Sequence, residues 1–273
     1  MIEKCGLSNI LFFANLSQHR GIRHFVSTRT GGFSNSPYNS LNLALHVGDD
    51  PDKVLKNRKR LAEAIGISLN QFTLAKQIHS GNVKVISDKL RGSGSTDEEN
   101  AIEDGDAMVT DVPGICLTIL VADCVPMLFF DPVRNVIGAA HAGWRGTLQS
   151  IALHTVGVMQ KHFACSPHNI LAGMGPSIGP CCYEVGSEVI AQVQAVFSSH
   201  QKYIRNESRD GKGYFDLQKA NRDQLIRAGI RGENIETANQ CTCHNAHTFF
   251  SYRQQHGETG RFGAGICMIR AFG

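Results

Sequence analysis

Three apolar runs, residues 115–121, 127–130 and 136–140, follow one another with only five residues between each pair. Runs this long and this rich in Val, Ile, Leu and Phe read as buried strands. A five-residue connection is too short for the crossover of a dozen or more residues that parallel neighbours need. Further strand-like runs lie at 25–28, 72–77, 82–86, 107–110, 170–174, 236–239 and 264–269. Helical periodicity shows at 49–66, 144–163 and 215–230, and more weakly at 188–197. Asp49 or Asp50 and Asp216 stand at N-cap positions, and Gly66 is a stop signal. Strands outnumber helices, so the pattern predicts an α+β fold of layered mixed β-sheets with flanking helices. No G-x-G-x-x-G follows a first strand, which argues against a doubly wound dinucleotide-binding sheet.

Composition narrows the function classes. Hydrophobic residues make up 42% and charged ones 19%, enough for a full core. The net charge is +3 with both signs interspersed, and no Lys/Arg cluster marks a nucleic-acid partner. The apolar run 10–16 is too short for a secretory signal, and no run reaches the ~20 residues of a membrane span. A cytoplasmic protein that binds neither nucleic acid nor membrane is the expectation, a monomer or small homo-oligomer. Nine scattered cysteines fit reduced thiols better than a disulfide framework. The chain reads as one domain over 1–273, and its linker-like stretch 89–106 as a mobile surface loop.

Chemistry concentrates at strand ends. Cys124, His141 and His79 each lie just past an apolar run, those at 115–121, 136–140 and 72–77. A lone cysteine or histidine there is ordinarily a packing or hydrogen-bonded residue. Two imidazoles and a thiolate also form a suitable zinc set, and three protein ligands leave the open position of a catalytic site. Their spacing is not local, so convergence in space has to be assumed. Asp123 adjoins Cys124, and Gly143-Trp144-Arg145-Gly146 opens a helix beyond His141, placing a guanidinium and free N–H groups where an anion such as phosphate can bind. Cys241, Cys243, His244 and His247 form a second thiol–imidazole group, better read as a strand end lining the pocket. Cys181 and Cys182 sit in a Gly/Pro turn.

The pieces "STRTGGFSNSPYNSLNLALHVGDDP", "KQIHSGNV", "DAMVTDVPGICLTILVADCVPMLFFDP", "GAAHAGWRGTL", "GPSIGPCCYEVG", "FDLQKANRDQL", "CTCHN" with "FFSYRQQ", and "TGRFGAGI" together resemble the YfiH family, also called the laccase-domain or multicopper polyphenol oxidase family. The resemblance implies a layered fold close to the cysteine-hydrolase-like group. It implies one zinc on His79, Cys124 and His141; copper is the alternative metal, since the Irving–Williams order favours it wherever it is available. It also implies phosphorolysis of adenosine, inosine and methylthioadenosine, with phosphate as co-substrate, and deamination of adenosine. Cys124, His141, Arg145 and Asp123 are then the catalytic candidates. Arg29, Gln77, Tyr252 and Arg253 are the substrate-binding ones.

Three rival readings use the same residues. Cys124 can be the nucleophile of a cysteine hydrolase, activated by His141 or His79. The resemblance also brings in the editing of peptidoglycan precursors, which would use a related pocket for a different ligand. A copper polyphenol oxidase needs several coppers, whereas this chain contains no H-x-H pair; a single blue-copper-like centre would require Met127 as a weak axial ligand.

Overall fold

The computed structural model describes residues 2–5 and 8–269. Its strands are β1 (Ile2–Cys5), β2 (Ser8–Leu11), β3 (Ile22–Ser27), β4 (Phe72–Thr73), β5 (Val83–Val85), β6 (Ala107–Thr110), β7 (Cys116–Val121) and β8 (Val125–Asp131). They continue as β9 (Val136–Ala142), β10 (Leu171–Met174), β11 (Glu184–Val185), β12 (Ile204–Arg205), β13 (Gly213–Phe215), β14 (Ile235–Thr237) and β15 (Phe262–Met268). The helices are α1 (Ala14–Ser17), α2 (Pro51–Ile65), α3 (Trp144–Leu148), α4 (Ile151–Phe163), α5 (Ser187–Val196) and α6 (Leu217–Arg227).

One six-stranded sheet has the order β1-β2-β3-β15-β7-β4 and the other β14-β10-β8-β9-β6-β5. Of the two short connections, the one between β8 and β9 joins antiparallel neighbours, whereas the one between β7 and β8 carries the chain from one sheet to the other. The edge pairs β4–β7, β5–β6 and β10–β14 are parallel, so both sheets are mixed. The alternation along β7 shows how the layers are built. Leu117, Ile119 and Val121 face the second sheet and meet Leu128, Phe130, Ile137 and Ala139. Cys116 and Leu120 face the other way, into a cluster with Leu61, Ala62 and Ile65 of α2. In β8 the odd residues Val125, Met127 and Phe129 pack against Ile151, Val156 and Met159 of α4 and Leu225 of α6. Helix, sheet, sheet and helices thus form four layers. The central strands are covered on both faces, which is why their sequences are continuously apolar. Each large side chain buried there contributes ~1.5–3 kcal/mol.

Helix boundaries follow the capping residues. Asp50 accepts from the Asp52 amide at 3.0 Å, Pro51 opens the helix, and Gly66 closes it at φ 69°. Asp216 accepts from the Lys219 amide at 3.0 Å. The predicted helix over 144–163 is in fact two, broken at Ser150, whose φ is +59°. Helix α6 supplies the reason: Gln224 donates to the Thr147 carbonyl at 2.7 Å and Asn221 to its hydroxyl at 2.9 Å, so the end of α3 is capped from outside.

Two expectations change in a way that shapes the site. The run 72–77 is a strand only over Phe72–Thr73. Beyond it, Leu74 and Lys76 donate to the carbonyls of Ser93 and Ile102. The stretch 89–106 is therefore no free surface loop; it runs beside 74–76, and the buried Arg58 guanidinium holds the Gly94 and Ser95 carbonyls at 2.6 and 2.9 Å. The small third sheet, β11-β13-β12, has strands of two or three residues, too short to leave a periodic signal.

Candidate metal centre

Strand register assembles the centre. In the β6–β9 ladder Ala107 pairs with Ala140, so Asp106 falls opposite His141, and the His141 amide donates to the Asp106 carbonyl at 2.7 Å. In the β8–β9 ladder Pro126 pairs with His141. Successive strand residues alternate faces, so Cys124 projects on the same side as His141, the side between the sheets. His79 arrives from the segment after β4. The ligand atoms of His79, Cys124 and His141 lie within 4.8 Å of one another, and the two imidazoles meet edge to face with centroids 4.8 Å apart.

One carboxylate orients both histidines. Asp106 is wholly buried, and its Oδ1 lies 2.8 Å from His141 Nδ1. With the proton on Nδ1, Nε2 is left as the ligand atom, the usual carboxylate–histidine–metal arrangement. The same oxygen accepts from the His79 amide at 3.0 Å, while Oδ2 accepts from the Ser80 amide and hydroxyl at 2.6 and 2.8 Å and from the Ile78 amide at 3.2 Å. His79 has φ +61° and Asp123 φ +89°, left-handed backbone at two non-glycine residues. Such conformations persist where surrounding bonds over-determine them, commonly at sites.

The charge balance favours a ligating thiolate. Burial pushes the Cys124 thiol up, but the neighbouring His141 and His79 outweigh it and bring it down to about 6. Burial pushes His141 down, yet Cys124 and Asp106 raise it to about 9. Burial also works against the Asp106 carboxylate, and the bonds from His141 and Ser80 overcome it, leaving its pKa below the usual value. Gly143 makes the room: a Cβ there would lie 2.9 Å from His79 Cδ2 and 3.0 Å from Cys124 Sγ. Donor set and space both fit a zinc-sized cation with one side open, because His79 is exposed toward a cleft of about 750 Å³.

That cleft gathers most of the residues singled out in the sequence. Gln77, Asp123, Arg145, Tyr252 and Arg253 all line it. Gln77 exchanges two 2.8 Å bonds with the Leu120 backbone, and so anchors the segment leading to His79. Asp123 accepts from the Thr242 hydroxyl at 2.6 Å and the Arg253 amide at 2.7 Å, so it braces the cleft wall. The Arg253 guanidinium donates to the Cys182 and Glu184 carbonyls. Arg145 is exposed and stacks on Trp144 at 4.3 Å; no protein acceptor takes up its guanidinium among the described residues. It sits on a five-residue helix, not at the head of the long one expected. Arg29 is not among the lining residues: its guanidinium is engaged by Asn39, the Ala246 carbonyl and Gln255. Met127 faces the α4 side of β8, fully buried and on the opposite face from His141, so it is no axial ligand.

Sequence reasoning missed Asp106, Arg261 and the wall formed by Gly94 and Glu98. Asp106 had a signal, a carboxylate immediately before the strand 107–110. Its partner could be known only from the register with β9.

The family described as multi-copper polyphenol oxidoreductase laccase matches residues 23–269. The purine nucleoside phosphorylase YlmD of Geobacillus stearothermophilus is 38% identical over 86% of this chain and 86% of that one. The adenosine deaminase RL5 of an unknown prokaryotic organism is 37% identical over 90% of this chain and 94% of that one. Among solved structures, the Bacillus licheniformis hypothetical protein YfiH superposes with a TM-score of 0.93 at 34% identity, over 98% of both chains.

Proposed function

The chain belongs to the multi-copper polyphenol oxidoreductase laccase family, and from that premise and the geometry of the cleft we propose that it is a zinc enzyme acting on purine nucleosides. The proposed reactions are phosphorolysis of adenosine, inosine and methylthioadenosine, and deamination of adenosine. The convergence of His79, Cys124 and His141 on the open side of a cleft, backed by one buried carboxylate, carries this reading. Relatives named purine nucleoside phosphorylase and adenosine deaminase support the substrate class.

Zinc held by these three residues supplies Lewis-acid activation of water and of a polar substrate group. The protein supplies the rest. Asp106 keeps the proton on His141 Nδ1 and so holds the ring in its ligating tautomer. Tyr252, 54% exposed at the cleft rim, offers a face on which a purine can stack. Arg145 offers a free fork for a phosphate oxygen pair, with the Trp144 ring holding it in place. Arg253 and Asp123 fix the wall between base and metal. Phosphorolysis requires the anion subsite and deamination does not, so one cleft can serve both. The oxidase reading loses its axial ligand with Met127 turned away.

A second reading rests on Cys124, His141 and Asp106, which also meet the nucleophile–base–orienter template of a thiol hydrolase. The two separate on metal content. Protein purified without added metal is expected to hold zinc and to convert adenosine in a phosphate-dependent assay. Cys124→Ala and His141→Ala are expected to lose most metal at this site together with activity. Unchanged occupancy of the site in either variant, or a covalent adduct on Cys124 during turnover, would favour the hydrolase.

A further inference from the structure

We propose a second, structural zinc site on Cys181, Cys182, Cys241 and His244, outside the catalytic cleft. In the sequence the two cysteine groups lie almost sixty residues apart and belong to different motifs. The fold joins them. Ser177 bridges to Cys241 in parallel, the Ser177 amide donating to the Gln240 carbonyl and the Thr242 amide to the Ser177 carbonyl. That lays the turn 179–184 against the turn that starts at Cys241. Three sulfurs and one imidazole nitrogen then lie within 4.8 Å of one another.

The donor chemistry and the geometry both suit zinc. Three thiolates and one imidazole are a closed structural set, with no position left for substrate. Zn–S near 2.3 Å and Zn–N near 2.0–2.1 Å in a tetrahedron require a sulfur–nitrogen edge of about 3.5–3.6 Å. The Cys181 Sγ–His244 Nδ1 separation is 3.6 Å. The Gly179 amide donates to Cys241 Sγ at 3.3 Å, the kind of backbone bond that stabilises a coordinated thiolate. A Cβ on Gly179 would lie 3.1 Å from Cys181 Sγ and 3.3 Å from Cys241 Cβ, so a glycine is what lets the turns close. Cys243 and His247, the neighbours in the sequence, are not part of the set; Cys243 turns to Gln254.

The site is a staple for the cleft wall. The carbonyls of Cys182 and Glu184 hold the Arg253 guanidinium, Tyr183 between them lines the cleft, and Thr242 binds Asp123 beside Cys124. A metal that ties 181–182 to 241–244 fixes all three. It leaves the chemistry to the first centre.

The test uses the full chain carrying Cys124→Ala and His141→Ala, which disables the first centre, reduced and stripped of metal, with Zn²⁺ alone as the probe. One equivalent of zinc per chain is expected, and X-ray absorption should show three sulfur neighbours and one nitrogen. Adding Cys241→Ala should cut occupancy at least tenfold. Because that variant removes a partly buried side chain, His244→Ala provides the check at an exposed position, with at least tenfold weaker zinc binding and an unchanged circular dichroism spectrum. No zinc uptake by the parent double variant with its thiols reduced would overturn the proposal. So would a shell without sulfur, unchanged uptake in both added variants, or a disulfide among these cysteines in the reduced protein.

Discussion

Replacing Asp106 by Asn keeps the shape of the side chain and changes only what its atoms can accept. Every backbone group facing this carboxylate is a donor: the amides of His79, Ser80 and Ile78, joined by His141 Nδ1–H. An amide has one acceptor oxygen, so one side must meet an N–H with an N–H. If the amide nitrogen takes the Oδ1 place, the His141 ring and the His79 backbone lose their acceptor. If it takes the Oδ2 place, the Ser80 and Ile78 amides are orphaned and the segment carrying His79 shifts. Either way one imidazole ligand loses its orientation. A hydrogen bond to a charged group is worth ~1.5–3 kcal/mol, and 1.4 kcal/mol is about tenfold in a binding constant. Zinc affinity at the first centre should therefore fall by about 10- to 100-fold, the range seen when such supporting carboxylates are removed elsewhere. Competition against a chromophoric chelator measures this, in a Cys241→Ala background so that only one site reports. Phosphorolysis and deamination should fall together at limiting zinc and recover in part when zinc is raised. Unchanged affinity would refute the role given to Asp106. So would a loss of stability with affinity intact, which would make the carboxylate a brace for the backbone alone.

Gly143→Ala brings a methyl to within about 3 Å of both His79 and Cys124, so it should weaken zinc at the first centre while leaving the unfolding midpoint within a few degrees. A metal content equal to wild type would show that the ligands have slack. Arg145→Lys keeps the charge but loses the fork, so phosphate affinity in phosphorolysis should drop by roughly 1.5–3 kcal/mol, with deamination much less affected; an equal loss in both reactions would make Arg145 structural. His24 gives the pH prediction. Burial, opposed by Glu236, holds its pKa at about 4, and its Nε2 accepts from the Phe13 amide at 2.8 Å. The folded state therefore prefers the neutral ring: this stability is complete above the unfolded value of 6.5 and is lost as pH falls toward 4, by up to about 3 kcal/mol. Urea unfolding at pH 7 and pH 4.5 should show that slope reduced in His24→Gln, and an equal slope in both proteins would assign acid sensitivity to other groups.

The sequence by itself determined the class of fold, because its signals are local. Five-residue connections between apolar runs exclude parallel crossovers, leaving an antiparallel pair (β8 and β9) or a step to the facing sheet (β7 to β8), and Asp50, Gly66 and Asp216 mark helix ends through bonds made within a turn or two. It also singled out His79, Cys124 and His141, through the company of Asp123 and of Gly143-Trp144-Arg145-Gly146 and through the motifs of the family. Register is another matter. Which residue of β6 stands opposite His141 depends on how two whole strands slide past each other, and a slip of one residue would turn Asp106 away from the ring. The same holds for the break at Ser150, set by amides on α6 some seventy residues later, and for Arg29, whose guanidinium is shared between nearby Asn39 and two groups more than two hundred residues away. Met127 and Cys124 are three residues apart and look equally available in the sequence; pleating puts them on opposite faces of one sheet. Cys181, Cys182 and Cys241 came together only through the Ser177–Cys241 bridge. Non-local pairing decides which of the chain's reactive side chains share a site, because it is paid for by the packing of entire layers and leaves no mark in any short stretch.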